Sequence, residues 1–569
     1  MNTISETFAV ADLRVSSAPH RGIESLPMNS PDWWRGAIIY QIYPRSFQDA
    51  NGDGVGDLRG ITQRLDYVAS LGVDAIWISP FFKSPMHDFG YDIADYRAVD
   101  PLFGTLADFD TLLERAHALG LKVIIDQVLS HTSAEHPWFL ESREDRLNPR
   151  ADWYVWADAR ADGSPPNNWL SIFGGVAWQW EPRRGQYYLH NFLASQPDLN
   201  FHHPDVRRAT LENVRFWLER GVDGLRLDAI NFCFHDRLLR DNPPKPASER
   251  SGRGFGVDNP YAFQYHWYNN TQTENIAFLA ELRALMDAFP GTVTLGEISA
   301  EDSIATMAEY TRHGRLHMGY SFELLTEDGS PGYIRSTVER LEAQMDEGWP
   351  CWAISNHDVA RVASRWHGDA TSHARAAQLT ALAASLRGSV CVYQGEELGL
   401  TEAELPYEAI RDPYGRAFWP RFKGRDGCRT PMVWDDSEDA GFTAAQPWLP
   451  IPAAHRERNV ARQLASADST LRRLRRFLRF RSGQPALRTG AITFVPTPAP
   501  VIMFYRRSAQ QTLLVAFNLS AQSQSVVLPG GDITGHRGDH GLDDGVVTDG
   551  VLQLPAHGAW FGECGSLPV

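Results

Sequence analysis

No run in this chain of 569 residues is apolar for long enough to cross a bilayer. Residues 1–30 lack an apolar stretch flanked by basic side chains, so no signal peptide is expected, and they read as a loose leader. Cysteine is scarce. Five residues, an odd number, are scattered at 233, 351, 391, 428 and 564, which excludes a disulfide framework. Their spacings fit no zinc site, and Cys351 and Cys391 sit in apolar runs that read as buried thiols. Positive charge is also deficient. A net charge of −16 argues against nucleic acid and against an anionic membrane surface as partners. These absences predict a soluble, cytoplasmic protein; a monomer or homodimer is expected.

Core-forming residues are plentiful. Hydrophobic residues make up 43% of the chain, and the length allows two or three domains. Eighteen tryptophans is a high count. Trp and Tyr rings suit stacking on sugars, although most such rings pack cores and loops.

The stretch Gly224-Leu-Arg-Leu-Asp228-Ala-Ile-Asn-Phe232 organises the rest. It follows an amphipathic helix closed at Gly221 and reads as a short buried strand ending on a carboxylate. By itself the Arg226–Asp228 pair could be structural. Strand-like runs over 38–44, 75–80, 122–128, 224–228, 292–298, 318–325, 351–355 and 389–394 alternate with helical patterns. That count predicts an α/β fold, a closed (β/α)8 TIM barrel over 31–131 and 204–485. Residues 132–203 lose the helical period and predict an inserted subdomain after strand 3. Short alternating runs over 486–569 predict a C-terminal antiparallel β-domain.

Two constellations carry chemistry. Asp49, Asn51, Asp53 and Asp57, interleaved with glycine, resemble the first half of a cation-binding loop, with the Val55 carbonyl as a further donor. One structural divalent cation, Ca2+ or Mg2+, is expected there, with no catalytic cofactor. The second is a set of strand-end groups: Asp126 with His131, Asp228, Glu297, and His357-Asp358. A barrel brings such groups to one face, and several acids at once are hard to explain as packing because carboxylates repel. Asp228 and Glu297 end successive strands, about 4.8 Å apart. Their carboxyls can come within roughly 5–5.5 Å, the separation of a retaining glycosidase. Asp228, held by Arg226 and kept ionised, is the expected nucleophile. Glu297, buried near other acids, is the expected proton donor. Asp358 would be a third acid, gripping hydroxyls and steadying positive charge.

The motifs GVDAIWISP (72–80), DQVLSH (126–131), QPDLN (196–200), GLRLDAINF (224–232), GEIS (296–299) and SNHD (355–358) occur in the order of the α-amylase family, glycoside hydrolase family 13. The chain resembles that family along almost its whole length. QPDLN, the 49–57 loop and RDGCRTP (425–431) resemble its oligo-1,6-glucosidase and α-glucosidase branch. The resemblance implies Asp228 as nucleophile, Glu297 as general acid/base and Asp358 as the transition-state-stabilising acid. It implies that His131, His357 and Arg226 serve the innermost sugar site, that Asp88 and Arg425 hold the non-reducing end, that Tyr91 stacks under the ring and that Phe192 lines the pocket. A pocket closed at that end implies exo action on small α-glucosides. It also implies a cation at Asp49, Asn51, Asp53, Val55 and Asp57.

Two positions depart from the pattern. Ser130 stands where the family usually has Asn, which argues against a second, amylase-type calcium. Ala229 follows the nucleophile where a Val accompanies α-1,6 preference, so α-1,4 or maltose-type substrates are favoured. Alternatives are an oligo-1,6-glucosidase and a glucosyl-transferring relative of the sucrose isomerase or trehalose synthase type. An isomerase is disfavoured because Arg361 and Arg365 lie amid apolar residues rather than in an arginine-rich loop.

Overall fold

The computed structural model describes residues 30–250, 259–366, 368–530, 533–535 and 539–565. Most of the expected leader therefore lies outside the described residues. Eight parallel strands close a barrel. They are β1 (Ile38–Ile42), β2 (Ala75–Ile78), β3 (Lys122–Val128), β4 (Gly224–Asp228), β5 (Val293–Ile298), β6 (Met318–Ser321), β7 (Pro350–Ala353) and β8 (Ser389–Tyr393). Each strand pairs with its sequence neighbours, and β1 pairs with β8.

The two-residue period of a strand sorts the side chains. Ile39, Ala75, Trp77, Ile124, Val293, Leu295, Met318, Tyr320 and Cys391 point inward and fill the barrel. The intervening residues, such as Ile38, Tyr40, Ile76, Ile125, Leu225 and Leu227, point outward into the main core. The barrel is thus a packed plug and not a pore.

The helices α1 (Leu58–Ser70), α2 (Leu106–Ala118), α3 (Pro204–Glu219), α4 (Asn275–Asp287), α5 (Ser303–Tyr310), α6 (Pro331–Gln344), α7 (His373–Ser385) and α8 (Thr470–Ser482) accompany the strands. Their starts follow capping chemistry. Thr105 and Asp108 form a reciprocal capping box on α2. Ser330 caps α6 with Pro331 in its first turn. Ser469 caps α8, which is separate from the short helix Val460–Ala465 before it.

The excursion between β3 and α3 contains a three-stranded antiparallel sheet: Trp156–Ala157, Gln186–Leu189 and Trp178–Glu181. Its small core holds Val155, Trp169, Trp178 and Leu189. After α8, five strands form an antiparallel sheet and three more form a second. In the strand Val501–Arg507, Ile502 and Phe504 join the main core, while Val501 and Met503 join a separate cluster with Val526, Leu552 and Trp560. Alternation therefore glues this domain to the barrel on one face and to the smaller sheet on the other. The strand Ala559–Cys564 pairs with Thr512–Asn518 in the interior of the larger sheet. It was not expected from the sequence, because Gly562 interrupts its pattern.

Among the described residues no helix is long and apolar enough to cross a membrane. All five cysteines are free, and Cys351 and Cys391 are buried as expected, their sulfurs 3.6 Å apart.

Candidate active site

The inward rows of the barrel change from apolar to charged as they reach the strand ends. Ile124 is followed by Asp126 on β3, and Val293 and Leu295 by Glu297 on β5. On β4, Arg226 and Asp228 occupy the inward positions after Gly224. Leu227 pairs with Gly296, so Asp228 and Glu297 stand one residue further along adjacent strands.

Arg226 ties these acids together. Its Nη1 donates to Asp228 Oδ1 at 2.8 Å and to the Asp126 oxygens at 2.8 and 3.0 Å. Its Nη2 pairs with Glu297 Oε1. The guanidinium lies 4.9 Å from the centre of the Trp77 ring, which backs it from inside the barrel.

One cation cannot neutralise three buried acids. Burial, reinforced by Asp228 and Asp358 and opposed by Arg226, lifts Glu297 to about 8. Burial also lifts Asp228, to about 7, against the pull of Arg226 and with a push from Asp126 and Asp358. This corrects the expectation that Arg226 keeps Asp228 ionised throughout: its charge is divided among Asp126, Asp228 and Glu297, so desolvation prevails. The order of the two groups is retained, with Glu297 holding its proton to higher pH.

Asp358 differs. Burial pushes it up, but facing positive groups bring it well below the usual carboxylate range. Arg429 Nη2 donates to its Oδ1 at 2.9 Å and Arg425 Nη1 at 3.3 Å. His357 also faces it, but burial pushes that imidazole down to about 3. The ring is neutral near pH 7, so the arginines supply the attraction.

The histidines lie in directed hydrogen-bond chains. Gln41 Nε2 donates to His357 Nδ1 at 2.7 Å. His357 Nε2 then donates to the Tyr91 hydroxyl at 2.6 Å, and that hydroxyl donates to Asp126 Oδ2 at 3.1 Å. This direction assigns the tautomer, because Asp126 can only accept when ionised. Tyr91 and His357 stack with ring planes 4° apart. His131, pushed down to about 4 by burial, donates from Nε2 to the Tyr91 carbonyl at 3.1 Å and accepts from Ser130 Oγ at 3.0 Å.

Local backbone places the last group. Ala229 follows Asp228 in the left-handed region, at φ 40 and ψ 45. A non-glycine residue there is strained. The turn aims its N–H at Glu297 Oε2, 3.0 Å away.

The far end is sealed by Arg425. Its Nη2 donates to Asp88 Oδ1 at 2.7 Å and to Asp412 Oδ1 at 2.8 Å, and its Nε to Asp412 Oδ2 at 3.1 Å. Gln196 Nε2 donates to the other oxygen of Asp88 at 3.1 Å. Ten residues were singled out for catalysis or sugar binding, and eight line one cavity; Arg226 and His357 lie outside its lining and bond groups that face it.

Several contributors were not assigned a role from the sequence. Phe173 from the insertion, Tyr414 from the short helix Pro413–Phe418, and Phe232 and Phe322 supply walls. Asp412 caps that six-residue helix, which is too short to carry a periodic signal. Arg429 stood inside the RDGCRTP motif but had no assigned role. Asp126, expected to converge with the acids, lies beneath the cavity, fully buried.

The 49–57 loop lies apart from this cavity. Asp49 Oδ1 accepts from the N–H groups of Asn51 and Gly52, and Oδ2 from Gly54 and the Thr443 hydroxyl. Asp57 caps α1 through Gly60 N at 2.7 Å and accepts from Ala50 N at 2.9 Å. Asn51 Oδ1 accepts from Asp53 N at 3.0 Å and Asp53 Oδ1 from Val55 N at 2.9 Å, so the side chains of the loop present oxygens, the donor type hard cations take. Among the described residues no group of three or more His, Cys, Asp or Glu side chains gathers as a metal cluster.

A roomier cavity, about 540 Å3, opens at the opposite, N-terminal end of the barrel strands around Trp34, Arg283 and His317. The strand-end acids do not line it.

Comparison with known proteins places the chain. The family described as alpha amylase, catalytic domain, matches residues 41–490. A probable alpha-glucosidase from Rhizobium meliloti (strain 1021) is 55% identical over 534 residues, covering 93% of this chain and 97% of that protein. An oligo-1,6-glucosidase from Heyndrickxia coagulans is 39% identical, covering 88% of this chain and 94% of its own length. The crystal structure of an alpha-glucosyl transfer enzyme, XgtA, superposes with a TM-score of 0.93 at 66% identity, covering 94% of this chain and 99% of that one.

Proposed function

The chain belongs to the α-amylase family and is a glycoside hydrolase, and from that premise we propose that it is a retaining, exo-acting α-glucosidase. It releases α-glucose from the non-reducing end of short, maltose-type α-glucosides and transfers part of that glucose to other sugars. The observation that carries the reading is the shared guanidinium of Arg226, which holds Asp228 and Glu297 on adjacent strand ends facing one cavity.

The chemistry follows from the order of the two acids. Asp228, the lower of the pair, attacks C1 of the glucosyl ring. Glu297, still protonated, gives its proton to the departing glycosidic oxygen. The Arg226–Asp228 bond and the Ala229 N–H on Glu297 hold the two reacting carboxyls in place. In the second half, Glu297 takes a proton from water, whose oxygen attacks C1 and frees Asp228. Two inversions give net retention. Asp358, kept ionised by Arg425 and Arg429, stabilises positive charge as it develops on the ring.

Exo action rests on the sealed end. The Arg425–Asp88 pair there offers charged donors and acceptors to the hydroxyls of a terminal glucose, which supports binding of a chain end. Ala229 leaves space beside the leaving-group sugar, which supports α-1,4 over α-1,6 linkages. An isomerase reading has less support. Arg361 donates to the Gln394 and Cys428 carbonyls at 2.9 Å, and Arg365 to the Ile354 and Thr326 carbonyls at 2.5 and 3.0 Å, so both are held in the core.

A divalent cation in the 49–57 loop is part of the proposal. Asp49, Asn51, Asp53, Asp57 and the Val55 carbonyl would hold it, and it would act only as a staple. Product analysis with maltose as sole substrate tests the main reading. Early glucose, with or without a trisaccharide, supports it. An isomeric disaccharide without glucose overturns it.

A further inference from the structure

The cavity that Arg425 borders is also lined by Ser299 and Phe322. Those two residues also line a second cavity of about 420 Å3. Its walls come from the loop after β4 and from the start of the β5–α5 loop.

Tyr265 and Trp267 stack there, 4.7 Å between centroids and 20° between planes. Trp267 remains 52% exposed, so its ring is not needed to fill the core. Beside them Lys245 Nζ donates to Glu301 Oε2 at 2.5 Å and lies 5.2 Å from the Tyr265 ring centre. The second oxygen of Glu301 accepts from His266 N at 3.0 Å. The cavity therefore offers an aromatic ledge next to a fixed donor–acceptor pair. Pyranose rings present that combination in reverse, with apolar C–H faces and hydroxyl edges. The ammonium is already paired with a carboxylate, which favours a neutral sugar over an anion.

We propose that this second cavity is an acceptor chamber: Trp267 and Tyr265 hold the distal ring of an oligosaccharide acceptor, and Lys245 and Glu301 bond its hydroxyls. This rests on the glucosidase reading of the neighbouring site. A two-ring acceptor bridges the chambers and presents its near hydroxyl to the glucosyl–Asp228 intermediate. That hydroxyl oxygen bonds to C1. The C1–Oδ bond to Asp228 breaks, its electron pair returns to the carboxylate, and the hydroxyl proton passes to Glu297. The product is one glucose longer than the acceptor, and no other reactant is needed. Trp267 and Glu301 are specificity-determining residues for transfer over hydrolysis.

The experiment compares wild type, Trp267→Ala, Trp267→Phe and Glu301→Gln on two substrates. With maltose, the initial ratio of trisaccharide to glucose is measured. With p-nitrophenyl α-glucoside at low concentration, hydrolysis needs no acceptor ring. Trp267→Ala is expected to lower the transfer ratio about fivefold while aryl-glucoside hydrolysis is unchanged, and Trp267→Phe to restore most of it. Glu301→Gln lowers the ratio in the same direction. A ratio unchanged in Trp267→Ala and Glu301→Gln overturns the chamber. Wild-type hydrolysis of maltose with no trisaccharide at any concentration also overturns it, and leaves the glucosidase reading standing. Failure of the wild type to release glucose from either substrate overturns both.

Discussion

Ala229 donates its backbone N–H to Glu297 Oε2 at 3.0 Å from a left-handed backbone conformation. The residue that follows the nucleophile is therefore also a hydrogen-bond partner of the acid. Its Cβ borders the cavity. Replacement by valine puts a β-branched side chain at positive φ, a strain of roughly 1–3 kcal/mol. Ala229→Val is expected to lower the melting temperature and to shift the isomaltose-to-maltose ratio of kcat/KM upward by about tenfold. Ala229→Gly keeps the N–H and relieves the strain, so it is expected to retain the linkage preference.

Asp412 touches no substrate in the account above. It grips Arg425 through both carboxylate oxygens and accepts that residue's own N–H at 2.7 Å. Asp412→Asn removes the charge and keeps the shape. The expected loss in kcat/KM for maltose is roughly 10–100-fold, from the 1.5–3 kcal/mol typical of a charged hydrogen bond. Most of it should fall in KM. A variant with wild-type KM would show that Arg425 is held by its other contacts.

The pH profile of kcat/KM reports the acids of the free enzyme. Asp228 must be ionised and Glu297 protonated. Activity is expected to fall below about 7 as Asp228 takes up its proton, and above about 8 as Glu297 loses its own. The two limbs leave a narrow optimum. Glu297→Gln on an aryl glucoside with a good leaving group should lose the alkaline limb and keep the acidic one. Persistence of both limbs would assign the alkaline limb to another group.

Much of this site was legible in the sequence because strand periodicity is unforgiving. Once Val293 and Leu295 face inward, Glu297 must follow them, and the same rule carries Arg226 to Asp228. The eight barrel strands were readable as short runs bounded by helical patterns. Phe173, from an irregular segment, and Asp412 and Tyr414, from a helix of six residues, were not readable, because neither has a period and their positions depend on long-range contacts. The shared charge of Arg226 was also hidden. Nothing in one strand reveals how many carboxylates its arginine must serve.

The loop at 49–57 has its own test. A bound cation adds stability that grows with the logarithm of its concentration relative to its dissociation constant. Removal by a chelator is expected to lower the melting temperature by about 2–4 °C, with recovery on adding Ca2+ or Mg2+. In Asp53→Ala the chelator should have no further effect. A wild-type melting temperature indifferent to chelator would mean that the loop closes on its own N–H groups alone.

The account depends most on Asp228 and Glu297 acting in succession on one anomeric carbon. Proton NMR of the first glucose released from p-nitrophenyl α-glucoside, recorded before mutarotation, measures this directly, because all of that glucose comes from the attacked ring. The account predicts the α anomer from the first spectrum, relaxing later toward the equilibrium mixture. Initial β-glucose would mean a single displacement by water, and would contradict a covalent intermediate on Asp228.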